Sequence, residues 1–142
     1  IFFIIGSGPE YSEIVRLIKI QKLEDKIFLL GNLENSEIYS LMKQSNIFLL
    51  HSSYEGFPHV VLEAIANNLL CILSDVGGNS EIIKNNHNGF LIKLFNVKEL
   101  NEKIKFVLTD NNMGYIRNNA EITLKKFNKN KLLAQTFNVI SK

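Results

Sequence analysis

Two carboxylates eight positions apart, Glu55 and Glu63, bracket the run Gly56-Phe57-Pro58-His59-Val60-Val61-Leu62. A Gly-Phe-Pro turn leads into an apolar stretch of helical character. Pro58 suits the first turn of that helix, where its missing N–H costs nothing. Glu55 then lies in the loop ahead of the helix, and Glu63 between one and two turns inside it. A ligand at such a helix mouth can be held at two separated hydroxyl-bearing ends, one on each carboxylate. Its anionic middle would meet the free N–H groups and the positive end of the helix dipole. A sugar joined to a nucleotide diphosphate has this distribution of groups. The same pair could instead be imagined as the acid and nucleophile of a glycosidase, whose carboxyls flank one bond at about 5 to 9 Å. Residues holding opposite ends of a nucleotide sugar stand further apart, and binding roles are favoured for both.

The remaining candidates are weaker. His59, in the first turn, reads as a polar lining group or an exposed side chain rather than a general base. His51 ends a strand-like run and either lines a cleft or simply closes the strand, while His87 sits in a polar turn and is expected at the surface. Gly77-Gly78 precede a helix beginning near Asn79 with Glu81 in its first turn. Two adjacent glycines permit close backbone approach to a ligand, or a strained turn. Gly6-Ser7-Gly8 lacks the third glycine of a dinucleotide fingerprint, since position 11 is Tyr11. It reads as a tight strand-to-helix turn, with Pro9 starting the helix. No Asp/Glu–His–Cys grouping has metal-ligand spacing, and no metal is expected.

The elements that must position these residues follow from hydrophobic periodicity. Short apolar runs alternate with amphipathic ones, the pattern of a parallel sheet covered by helices. Strands are predicted near 1–5, 26–30, 46–50, 70–74 and 89–92, and helices near 10–20, 35–44, 59–67 and 79–84. Asn35 or Ser36 is placed to cap the second helix, with Ile38, Leu41 and Met42 on its buried face. The sheet region is assigned to residues 1–95 and a helical C-terminal part to 96–142. Helices there are expected near 97–109, 111–126 and 129–141. Ile104, Val107 and Leu108 form a stripe on the first of these, and Leu132, Leu133 and Phe137 on the last.

A chain of 142 residues suits one α/β domain able to bury a core. Its 46% hydrophobic and 21% charged content is ordinary for a globular protein. The net charge of +2 is too mild, and the basic residues too scattered, for a nucleic-acid partner. The single cysteine, Cys71, lies in the apolar run Leu69-Leu70-Cys71-Ile72-Leu73 and reads as a buried strand residue. With neither a signal peptide nor an apolar span of membrane length in the sequence, a cytoplasmic chain is expected.

The run from Ser53 to Ala64 resembles the Glu-x7-Glu signature of retaining, nucleotide-sugar-dependent glycosyltransferases of GT-B architecture, family 4 type, also called group 1. Five further segments carry the resemblance in family order and spacing. Gly6-Ser7-Gly8-Pro9 is similar to the family's Gly-x-Gly-Pro after a strand, and Ile27-Phe28-Leu29-Leu30-Gly31 to its strand ending in Gly. Ser45-Asn46-Ile47-Phe48-Leu49-Leu50-His51-Ser52 is similar to the strand before the signature. Val76-Gly77-Gly78-Asn79-Ser80-Glu81-Ile82-Ile83 is similar to the Gly-Gly-x-x-Glu segment, and Asn88-Gly89-Phe90-Leu91-Ile92 to the last strand.

The resemblance implies a Rossmann-like, doubly wound parallel sheet with C-terminal helices, the donor-binding half of a GT-B enzyme. It assigns the ribose hydroxyls to Glu63 and a hydroxyl of the transferred sugar, at the reacting end, to Glu55, the one candidate catalytic residue. Backbone N–H groups of Gly56, Phe57, His59 and Val60 would meet sugar and diphosphate oxygens, with Pro58 contributing shape only. Gly77 and Gly78 become secondary contacts beside the cleft. Gly31, Asn32 and Leu33 offer backbone groups to the nucleobase. The nucleotide sugar is substrate, and no cofactor is implied.

In the family the domain begins earlier, with a central strand, a loop carrying an Arg and a Lys, and a helix. The runs near 1–5 and 46–50 would flank that strand. Here they are expected to pair directly, or to leave a distorted sheet. The acceptor-binding N-terminal domain, or a partner chain supplying it, is an implied partner. Peripheral membrane association of the full enzyme is compatible with the resemblance, but no residue here carries it. A nucleotide-sugar-binding subunit of a split enzyme, or an epimerase on the same architecture, would share the fold. The Glu55-to-Glu63 spacing argues against the epimerase.

Overall fold

A computed structural model describes residues 1–110 and 112–127. The expected helix near 129–141, with Leu132, Leu133 and Phe137, lies outside the described residues. The chain divides into two compact units, Ile1–Leu41 and Met42 onward.

In the first unit, β1 (Phe2–Ile5) and β2 (Ile27–Gly31) pair in parallel across the helical crossover α1 (Tyr11–Ile20). Their ends are tied by the Gly6 amide, which donates to the Gly31 carbonyl at 2.7 Å. Gly6 and Gly31 both adopt positive φ, +121° and +65°, which a side chain would resist. α1 starts later than expected. Pro9 lies before it, Glu10 occupies the cap, and the Tyr11 amide bonds the Gly8 carbonyl at 3.1 Å. α2 spans Asn35–Gln44, so neither Asn35 nor Ser36 is its cap. Instead the Glu37 carboxylate reaches back to the Glu34 amide at 2.9 Å, one half of a capping box set one residue earlier.

The second unit is a three-stranded parallel sheet of order β3-β4-β5, comprising Ile47–Leu50, Leu70–Ser74 and Phe90–Ile92. β4 is central and every residue of it is buried, as its unbroken apolar run requires. Alternation sends Leu70 and Ile72 to one face. There they join Phe90, Ile92, Val107, Met113 and Ile116 in one core cluster. α3 (His59–Ala66) packs on β4, α5 (Val97–Thr109) on β5, and α6 (Gly114–Leu124) on α3. A short helix, α4 (Asn79–Ile82), follows β4, and one 3-10 turn (Lys125–Phe127) follows α6.

The face of α5 differs by one position from the predicted stripe. Leu100, Ile104 and Val107 point to the core, while Leu108 is 68% exposed. A spacing of four and then three keeps the first three residues on one side of a helix, and the next residue turns about 100° away. The expected direct pairing of the first and third strands is not formed. Among the described residues β1 pairs with β2 alone and β3 with β4 alone, in separate sheets. Of the two expected outcomes, the continuous sheet is therefore absent among the described residues, and the strands form two separate sheets, β1-β2 and β3-β4-β5.

Candidate functional site

The site is built where β3 and β4 end. The chain leaves β3 at Leu50, passes through His51 to Phe57 as a loop, and enters α3 at His59. Pro58 sits one residue earlier in helix numbering than expected, at the N-cap, with φ −80° and ψ 88°. A residue preceding proline is kept out of helical conformation, which holds Phe57 in the loop and delays the helix. The first helical turn then closes from the Val61 amide to the Pro58 carbonyl at 3.0 Å. Pro58 makes no side-chain cap bond and no acidic residue lies in the first turn, so among the described residues neither offsets this helix end.

Burial of Val61, Ala64 and Ile65 fixes the rotation of α3. Glu63 is thereby left half-buried on its flank, roughly 6 Å along the axis from His59. Glu55 is half-buried in the loop before it. Among the described residues neither carboxylate joins an ion pair; the pairs formed are Arg16–Glu13 and Lys125–Glu121. Val60 is half-buried, whereas Gly56 and His59 are exposed. Phe57 packs edge-on against the His59 ring at 5.2 Å and, tilted, against the Phe127 ring at 5.7 Å. Phe127 was not legible as a site residue, since it lies at the far end of the chain in a lysine-rich segment.

Gly77 and Gly78 close the other side. Gly77 has φ +47°, and a Cβ on it would lie 1.9 Å from the Glu55 carbonyl oxygen. A Cβ on Gly78 would lie 1.7 Å from the Gly56 carbonyl oxygen. The Gly78 amide donates to the Glu55 carbonyl at 3.0 Å. The close approach foreseen for these glycines is therefore backbone against backbone: they seat the loop that carries Glu55.

The structure thus brings Glu55, Gly56, Phe57, His59, Val60, Glu63, Gly77 and Gly78 into one neighbourhood. Gly31 and Asn32 belong to the other unit. There the Asn32 side chain accepts a hydrogen bond from the Ser7 hydroxyl at 3.1 Å. His51 keeps its Nε2 buried without a partner among the described residues. His87 is exposed and faces the Tyr115 hydroxyl at 3.4 Å. Cys71, in the middle of β4, is 1% exposed, and burial pushes its thiol up to about 12, which makes it an inert packing group. Among the described residues no three metal-ligating side chains cluster, and no helix is long and apolar enough to cross a membrane.

Among the described residues, then, two carboxylates outside any ion pair flank a helix start that has no side-chain cap, on a parallel α/β scaffold. The family model for glycosyl transferases group 1 matches residues 1–130, and the chain belongs to that family. It is 31% identical over 136 residues to the N-acetyl-alpha-D-glucosaminyl L-malate synthase of Bacillus anthracis, across 93% of this chain and 35% of that protein. It is 30% identical over 121 residues to the UDP-Gal:alpha-D-GlcNAc-diphosphoundecaprenol alpha-1,3-galactosyltransferase of Escherichia coli, across 84% of this chain and 31% of that one. The chain spans about a third of the length of these curated relatives.

Among solved structures, the pneumococcal O-GlcNAc transferase GtfA, in complex with UDP and GlcNAc, superposes with a TM-score of 0.83. The identity is 29%, over 99% of this chain and 29% of that one. Anabaena HepE, in complex with UDP and glucose, superposes with a TM-score of 0.86 at 24% identity, over 98% of this chain and 40% of that one. The shared fold is the Rossmann-like α/β construction of GT-B glycosyltransferases.

Proposed function

We propose that this chain is the donor-binding part of a retaining glycosyltransferase that uses a nucleotide-diphosphate sugar. The observation that carries the reading is the placement of Glu55 and Glu63. Both are half-buried and free of ion pairs among the described residues, one before and one after the uncapped start of α3.

In this reading the Glu63 carboxylate accepts from both hydroxyls of the ribose diol, a pairing that suits its two oxygens. Glu55 accepts from a hydroxyl of the transferred sugar, next to the bond that breaks. The N–H groups of Gly56, Phe57, His59 and Val60 and the dipole of α3 face the diphosphate. As the sugar–phosphate bond opens, charge accumulates on the leaving diphosphate, and oriented donors stabilise it without reorganising. Gly31 and Asn32 offer backbone groups to the base. Cationic groups and the acceptor site are supplied from outside these residues, by an acceptor-binding domain or a partner chain. The chain by itself binds donor weakly and transfers no sugar. Because helix end and cations meet the diphosphate charge, binding is expected to survive EDTA, and the reading places the chain in the cytoplasm.

Ligand-detected NMR with UDP, UDP-glucose, GDP and GDP-mannose tests the reading. One nucleotide class should bind saturably, and Glu63→Ala should weaken it at least about tenfold, the value of a hydrogen bond to a charged group. Equal binding by Glu63→Ala removes the ribose role.

A further inference from the structure

The loop bearing Glu55 is held from beneath by a closed ring of hydrogen bonds whose side-chain members carry no assigned role. The Ser74 hydroxyl, at the end of β4, donates to the Ser52 carbonyl at 2.6 Å. The Asn79 side-chain Nδ2 donates to the Ser74 carbonyl at 2.8 Å. Gly78, bonded covalently to Asn79, donates its own amide to the Glu55 carbonyl at 3.0 Å. The chain from Ser52 to Glu55 completes the circuit. Ser74 and Asn79 are both fully buried, while Tyr54, inside the ring's own arc, is 80% exposed. The base of the loop is pinned and its tip stands in solvent.

Asn79 is an uneconomical choice for packing alone. Its Oδ1 is buried with no partner among the described residues, a penalty that an apolar side chain of the same size would avoid. What the amide group supplies is direction, because it fixes the Ser74 carbonyl and with it the peptide that carries Gly78.

We propose that Ser74 and Asn79 are positioning residues that set the height of Glu55 over the mouth of α3 without touching the ligand. The inference rests on the donor-site reading above, since it assigns them to the sugar end of that site. Loss of the ring lets the Glu55 segment drift while Glu63, held by α3, stays in place. Sugar recognition is thereby weakened and nucleotide recognition kept.

Asn79→Ala risks unfolding the loop altogether, so Ser74→Ala is the informative variant, with Ser74→Thr restoring the hydroxyl. In the ligand-free chain, amide exchange at Gly78 should quicken about tenfold in Ser74→Ala, the worth of one hydrogen bond, with β4 amides unchanged. Affinity for UDP-glucose should fall about tenfold against less than twofold for UDP, and Ser74→Thr should recover both signals. GDP-mannose and GDP serve as the second pair. Unchanged exchange at Gly78, or equal losses for sugar nucleotide and nucleotide, overturns the proposal. A wild-type chain that binds none of the four sinks the donor reading instead, and the exchange arm still decides whether Ser74 pins the loop.

Discussion

Gly78→Ala is the sharpest test of how the two loops fit. A Cβ there would sit 1.7 Å from the Gly56 carbonyl oxygen, 2.8 Å from its carbon and 3.3 Å from the Phe57 Cα. All three are backbone atoms, so no side chain can swing aside. Ordinary contact begins near 3.4 Å, and the loops must part by about 1.7 Å on the scale of such contacts. That movement breaks the 3.0 Å bond from the Gly78 amide to the Glu55 carbonyl. The lost bond costs about 1 kcal/mol and the overpacking about 1–3 kcal/mol, together about 2–4 kcal/mol. For a chain of this size the melting temperature should fall by roughly 10 °C. Gly114→Ala is the control: among the described residues nothing lies within 4 Å of its added Cβ, and at the start of α6 it should be neutral or raise the melting temperature slightly. Differential scanning calorimetry of both variants decides the matter. A Gly78→Ala melt within 2 °C (about 0.5 kcal/mol) of wild type would refute the packing described here.

Gly56→Ala should behave oppositely to Gly78→Ala. Among the described residues nothing lies within 4 Å of its added Cβ, so calorimetry should show little change while donor affinity by NMR falls. Asn88 is 2% exposed; its amide donates to the Ile82 carbonyl and the Thr123 hydroxyl at 2.9 Å each, and its oxygen accepts from the Lys84 amide at 2.6 Å. Asn88→Ala orphans these groups and should cost about 3 kcal/mol in urea unfolding. The native Cys71 thiol, held protonated up to about 12, should resist a disulfide reagent at pH 8 until urea unfolds the chain. An unfolded thiol releases its proton near pH 8.5. The stability contributed by burying the protonated form is therefore complete below that pH and declines progressively as pH rises towards 12, which urea midpoints across the range would register.

Element type and position were legible because the apolar runs are short, separate and well punctuated. The run from Leu70 to Ser74 reads as a strand by its length and flanking turns, and the stretch near 59–67 as a helix. Exact starts were less legible. Pro9 and Pro58 both fit the first helical position by propensity, yet each stands before its helix, because a cap is decided by the conformation of its neighbours. Leu108 was misplaced for a related reason: the sequence allows several apolar stripes on α5, and packing on β5 selects Leu100, Ile104 and Val107. Pairing between strands far apart in sequence was the least legible feature, since no local pattern records which edge meets which. In the candidate site, the spacing of Glu55 and Glu63 was visible in the sequence. Ser52, Ser74 and Asn79 did not, because a serine closing an apolar strand and an asparagine opening a helix are ordinary in isolation.

The glycines show why this matters for function. Read along the chain, Gly77 and Gly78 permit either close approach to a ligand or a strained turn, and the resemblance gives Gly56 a backbone N–H facing the ligand. In the structure they separate into two physical causes. Gly77 and Gly78 are required by the protein itself, since any Cβ there collides with the backbone of Glu55 and Gly56. Among the described residues Gly56 meets nothing within 4 Å, and it does not adopt positive φ, so none of those residues demands a glycine there. A requirement for glycine at 56 would have to come from something that occupies the space beside it. The pair at 77–78 prepares the surface, and position 56 is where that surface is left open. The contrast between Gly56→Ala and Gly78→Ala therefore separates the architecture of the site from its use, even before the sugar is known.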